Sequence, residues 1–132
     1  MSGQNLLMVA DSERDANMLY AVRMFVPDPF IYLRLGGKPH IVVSDLEIDR
    51  ARQQASHCRV LSLSQWQKKV KNEGANRPGL AQVIRLILKA RHIRRVLVPY
   101  SFPLGLAREL RRLKIRVKVL PRAVFPEREC KC

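Results

Sequence analysis

The period of the apolar positions changes several times along the chain, and each change marks an element. Leu6 to Ala10 is a short apolar run. Asp11-Ser12 then offers a cap for a helix over about 13–22, with Glu13 and Asp15 in the first turn, where the helix dipole favours acids. Pro27 and Pro29 stop any helix, and Phe30 to Leu35 is aromatic, β-branched and aliphatic, which predicts a strand. Gly36-Gly37 predicts a two-residue hairpin turn, since primed turns need positive φ, and His40 to Val43 supplies the return strand. Ser44-Asp45-Leu46-Glu47 has capping-box spacing, with the Ser44 hydroxyl expected on the Glu47 amide and the Glu47 carboxylate reaching back, ahead of a helix to about Ala55. Arg59 to Leu63 reads as a short strand. Ser64-Gln65-Trp66-Gln67 repeats the capping spacing before a polar helix ending near Asn72, and 76–79 is a loop.

The second half switches between periods 3.6 and 2. Leu80, Val83, Ile84, Ile87 and Leu88 share one helical face while Gln82, Arg85 and Lys89 face away. Val96 to Val98 is a short apolar strand. Pro103 is placed to open a helix, with Ser101 near its start and Leu106, Ala107, Leu110 and Leu113 as its stripe. Ile115, Val117 and Val119 alternate with Arg116 and Lys118, the pattern of a strand buried on one side. Residues 95–120 therefore predict β-α-β with a parallel pair. The reading contains no internal repeat and no linker. It is one α/β domain over 1–122, a mixed sheet of about five or six strands with helices on both faces, followed by a polar exit segment over 123–132.

Composition changes this picture in one respect. The 132 residues are 47% hydrophobic and 27% charged, as in folded globular chains, and no apolar run approaches the roughly 20 residues that span a bilayer. The first residues lack the basic cluster of a secretory signal, and three cysteines, two of them Cys130 and Cys132, frame neither a disulfide scaffold nor a metal site, so a reduced cytoplasmic setting is expected. The unusual feature is a formal charge of +14, with 14 basic and 3 acidic side chains in residues 83–132. Arg85, Lys89, Arg91, Arg94 and Arg95, then Arg108, Arg111, Arg112, Lys114, Arg116 and Lys118, form basic faces that suit nucleic acid or an acidic partner domain. Against nucleic acid, that half has only Tyr100, Phe102 and Phe125 as aromatics, without stacking spacing.

No catalytic, cofactor or metal residue is assigned. His40, His57 and His92 lie on separate elements, and adjacent His57 and Cys58 would diverge in any regular element. Asp45, Glu47 and Asp49 crowd one helix start, where acids cap amides, and Gly36-Gly37-Lys38 lacks phosphate-loop spacing.

Three stretches resemble the amino-terminal domain of the creatinase, prolidase and aminopeptidase P family. Asp15-Ala16-Asn17-Met18-Leu19-Tyr20 is similar to its Asn-x-x-Tyr segment, although Ala21, Val22 and Arg23 stand where the family often has a small residue and glycine. Asp28 to Leu33, the glycine turn, and Ile41 to Glu47 through Arg50-Ala51 resemble its hairpin and following helix. Arg95 to Pro99 with Phe102-Pro103, and the run to Phe125-Pro126-Glu127-Arg128-Glu129, resemble its last β-α-β unit and exit segment, where Cys130 and Cys132 are departures. The resemblance implies a creatinase-like amino-terminal fold and a non-catalytic role in homo-oligomerisation and restricting substrate access. It also implies a parent hydrolase, a metallopeptidase of the Xaa-Pro aminopeptidase or prolidase type acting on short proline-containing peptides. Its divalent metal pair would sit in a separate carboxy-terminal catalytic domain, the expected partner of this one. The alternative is a free-standing basic α/β protein binding nucleic acid.

Overall fold

The computed structural model describes residues 5–10, 30–74 and 79–120. Its centre is β1, Leu6–Ala10. The run lacks alternation because both faces are covered: Leu7 and Val9 enter one core, Leu6 and Met8 the other. The hairpin follows as expected, β2 at Phe30–Leu35 and β3 at Lys38–Val43. Gly36 and Gly37 take φ of 58° and 85°, the sign a primed turn requires. The Asn5 side-chain oxygen accepts from the Gly36 amide at 3.2 Å, tying the turn to the entry of β1.

After β3, a 3-10 turn at Asp45–Glu47 leads into helix α1, Ile48–Gln54. The capping box expected at Ser44 does not form. The Glu47 amide donates to the Ser44 backbone carbonyl at 2.9 Å, and the Glu47 carboxylate turns forward to the Arg50 guanidinium at 2.6 Å. A tight 3-10 turn satisfies the amide with backbone, so the hydroxyl has no vacancy to fill. Strand β4 is Arg59–Ser62, and helix α2 begins at once at Leu63 and runs to Asn72. The cap expected at Ser64 therefore sits one half-turn earlier: Ser62 Oγ accepts from the Gln65 amide at 3.3 Å.

Helix α3, Leu80–Ala90, strand β5, Arg95–Val98, helix α4, Leu104–Arg112, and strand β6, Arg116–Val119, complete the described chain. The six strands form one mixed sheet in the order β4-β3-β2-β1-β5-β6. Only β2 runs against the others, since it is antiparallel to both neighbours while β3–β4, β1–β5 and β5–β6 are parallel. One face is covered by α2, α3 and α4 through Val70, Val83, Ile84, Ile87, Leu88, Ala107 and Leu110. The other carries α1 through Ala51, with Ala55 and Cys58 against Tyr32 and Ile41. Each fully buried leucine or isoleucine here contributes about 1.5–3 kcal/mol. The α/β class, the strand number and helices on both faces agree with the expected fold.

Val119 departs from the pattern. It is 49% exposed although Ile115 and Val117 are buried, because β6 is the sheet edge and α4 covers only its entry. No helix among the described residues is long and apolar enough to cross a membrane. The helix expected over 13–22, the Asn17–Tyr20 segment and the exit segment over 123–132 lie outside the described residues.

Candidate functional site

Because five strands run in one direction, the sheet has two chemically different ends. Strands β1, β3, β5 and β6 are entered at one end, where the hairpin turn also lies. The turn from α3 into β5 and the turn from α4 into β6 are built alike there. In the first, His92 N donates to Lys89 O at 3.1 Å and Ile93 N to Leu88 O at 2.9 Å. In the second, Lys114 N donates to Arg111 O at 3.1 Å and Ile115 N to Leu110 O at 3.0 Å. Both are Schellman caps, with isoleucine as the apolar residue that follows the cap. The residue that takes the left-handed conformation is normally glycine, yet here it is His92, φ 59°, and Lys114, φ 71°.

The parallel pairing of β5 with β6 sets these turns side by side. They line a groove of about 680 Å³ whose rim is Arg85, Lys89, His92, Arg94 and Lys114 and whose floor is Ile93, Leu113 and Ile115. His92, Ile93 and Arg94 also line a second hollow with Asn5, Arg95 and Lys118. Lys89 and His92 border a third with Trp66, Lys69 and Glu73. The three join into one basic edge. Its described carboxylate is Glu73, 4.0 Å from Lys89, and Lys69 Nζ stands 4.2 Å from the centre of the Trp66 ring.

Of the remaining basic residues, Arg111 and Arg91 have local duties, and Arg116 is exposed on β6. Arg111 donates to Val117 O at 3.3 Å, protecting the edge strand, and Arg91 donates to His40 Nε2 at 3.1 Å, while Arg108 and Arg112 are exposed on α4. His40 is 1% exposed. An arginine can only donate, so Nε2 accepts and Nδ1–H donates to Lys38 O at 2.9 Å, which makes the ring neutral. Burial chiefly, then the positive charges of Arg91 and Arg59, hold its pKa below the ordinary value, against the opposing hydrogen bonds to the Lys38 and Leu33 backbone.

At the opposite end, where those strands finish, stand the exposed large apolar side chains. Tyr100 (85%) and Leu104 follow β5, Val119 closes β6, and Leu46 (94%) follows β3. Asp45 lies at this end too, accepting from Ser62 and Ser64 hydroxyls at 3.0 Å, so it braces β3 to β4. Glu47 is paired with Arg50. Cys58 is buried, with burial pushing its thiol up to about 11, while His57 is exposed, so the two diverge. No three His, Cys, Asp or Glu side chains group as metal ligands among the described residues.

The sequence offers eleven basic residues as candidates for lining a groove, and the structure brings four of them, Arg85, Lys89, Arg94 and Lys114, to one. The available signal is a short recurrence, Leu88-Lys-Ala-Arg-His-Ile-Arg94 and Leu110-Arg-Arg-Leu-Lys-Ile-Arg116, which encodes the twin caps. In the sequence Trp66 is one residue of a polar helix, and its approach to Lys89 and His92 depends on the packing of α2 on α3.

Known structures share this fold. The chain superimposes on the X-Pro aminopeptidase from Thermotoga maritima with a TM-score of 0.66 and 11% identity, covering 89% of this chain and 30% of that one. The prolidase from Pyrococcus furiosus gives 0.61 at 10% identity, covering 89% and 28%. An Xaa-Pro aminopeptidase from Streptococcus pyogenes gives 0.63 at 10% identity, covering 89% and 78%. The chain thus spans under a third of the prolidase and the Thermotoga enzyme, and its fold is that of the amino-terminal domain of such proteins. No protein-family model and no curated protein sequence matches it.

Proposed function

We propose that the chain is the non-catalytic amino-terminal domain of an Xaa-Pro metallopeptidase, acting in the cytoplasm to assemble the enzyme and narrow access to its active site. The observation that carries this reading is the fold, shared over 89% of the chain with enzymes of which it spans under a third. The apolar end of the sheet supports an assembly role, since Tyr100, Leu104 and Val119 leave apolar area in water that a neighbouring domain or subunit would cover. Hydrolysis by a pair of divalent metal ions belongs to a separate carboxy-terminal domain in this reading. Among the described residues no three His, Cys, Asp or Glu side chains group to hold such a pair.

The test is to read the transcript beyond the codon for Cys132 and to assay the 132-residue chain. A frame continuing into a second domain with Asp, His and Glu ligands, together with no Xaa-Pro cleavage by the purified chain in added Mn²⁺, Co²⁺ or Zn²⁺, is the expected result. A stop codon at that point, or robust cleavage by the chain alone, overturns the reading.

A further inference from the structure

We infer that the groove between the two Schellman turns is a binding site for single-stranded nucleic acid. This goes beyond the peptidase reading and does not rest on it. Four cationic side chains, Arg85, Lys89, Arg94 and Lys114, rim the main groove, and Arg95 and Lys118 continue the charge around the sheet end. Among described residues, none of Arg85, Arg94, Arg95, Lys114 and Lys118 has a carboxylate partner within ion-pair distance.

A simpler account of so many cations is that they neutralise the negative ends of α3 and α4. Its magnitude is insufficient. Two helix termini carry together about one negative charge, and the effect fades beyond the last turn. It covers Lys89 and Arg111, but Arg94 and Arg95 lie past the helix, and Arg85 lies more than a turn inside it. Nor does folding call for His92 and Lys114 at their positions. Glycine takes the left-handed conformation without the Cβ clash, so the caps alone favour glycine at both. Side chains kept there despite strain, and both lining the same groove, point to a ligand.

The floor decides the class of polyanion. Ile93 and Leu113, both partly exposed, offer an apolar surface above the buried Ile115, and Trp66 borders the adjoining hollow. A duplex buries its bases in the stack and would use only the rim. A single strand presents phosphates to the rim and unstacked bases to the floor and to the partly exposed Trp66, whose ring face Lys69 must vacate. An acidic peptide would meet the charges but would bring no planar base to the Trp66 indole.

The experiment is fluorescence anisotropy of a labelled mixed-sequence 12-nucleotide single strand with the full chain, titrated between 50 and 200 mM salt. With about four phosphates neutralised, the logarithm of affinity should fall against that of salt with a slope near −3. The double variant R94E/K114E should lose at least tenfold in affinity. R52E/R108E, which makes the same change of net charge on exposed positions of α1 and α4, should lose less than threefold. Equal losses in the two variants, or no binding at 50 mM salt, overturn the site. Displacement of the strand equally well by polyglutamate or polyphosphate of matched charge overturns its assignment to nucleic acid. Failure of the transcript to encode a catalytic domain leaves each of these outcomes unaffected.

Discussion

His40 Nε2 accepts a hydrogen bond from the Arg91 guanidinium at 3.1 Å across 51 residues of sequence, joining the hairpin to the turn that follows α3. The bond requires a neutral imidazole, and the depressed pKa of His40 keeps it so. The unfolded chain binds this proton near pH 6.5, before the folded chain does. Stability from His40 is therefore complete above about pH 6.5 and is lost as pH falls toward the lower folded pKa, by at most about 1.4 kcal/mol per pH unit. Thermal melts of the wild type and of H40F between pH 7.5 and 5 check this. The wild type should lose stability on acidification more steeply than the variant, and parallel pH profiles exclude His40 as the cause.

Ser62 is the only described helix-capping side chain bonded to its own helix, through the Gln65 amide, and its hydroxyl also donates to Asp45. S62A should cost about 0.5–2 kcal/mol by denaturant titration. S64A removes a bond to Asp45 but no cap, so its cost should be the smaller of the two.

Cys58 is sheltered between α1 and the sheet, and its thiol is raised to about 11. At pH 8 its thiolate population is about a hundredfold below that of an ordinary cysteine, apart from steric shielding. In a C130S/C132S background, alkylation of Cys58 should be slow in buffer and rapid in denaturant. Rapid modification of the folded chain contradicts the burial.

His92 and Lys114 occupy cap positions that favour glycine. H92G and K114G should leave stability unchanged or raise it by up to ~1 kcal/mol, because relief of the Cβ clash is partly offset by the greater freedom of glycine in the unfolded chain. Both should weaken oligonucleotide binding. Lower melting temperatures for both would assign the side chains a structural role instead.

Tyr100 and Leu104 stand exposed where β5 ends. If this end of the sheet assembles the protein, Y100E/L104E should shift the mass in light scattering toward the monomer while circular dichroism is unchanged. The same mass for variant and wild type removes this surface from the assembly role.

Much of the fold was legible because it follows from local patterns. The strands at 6–10 and 30–35 match the apolar runs residue for residue, and the glycine turn has the predicted sign of φ. The errors lie where local options competed. Two serines two residues apart can each cap α2, and the end of β4 at Ser62 decided between them. Backbone closure of a 3-10 turn replaced the Ser44 cap. Val119 continued a perfect alternation yet lies at an uncovered edge, since period 2 assigns a face but not a cover.

The sequence by itself determined the element types, the α/β class and the surplus of positive charge, because propensity, period and composition are properties of neighbouring residues. Only the tertiary structure decided which charges act together. Arg94 and Lys114 are 20 residues apart and become opposite sides of one groove through the parallel pairing of Arg95 with Arg116. His40 meets Arg91 because α3 ends over the hairpin side of the sheet. Such encounters depend on strand order and direction, which are set by the global burial of two apolar layers rather than by any one segment.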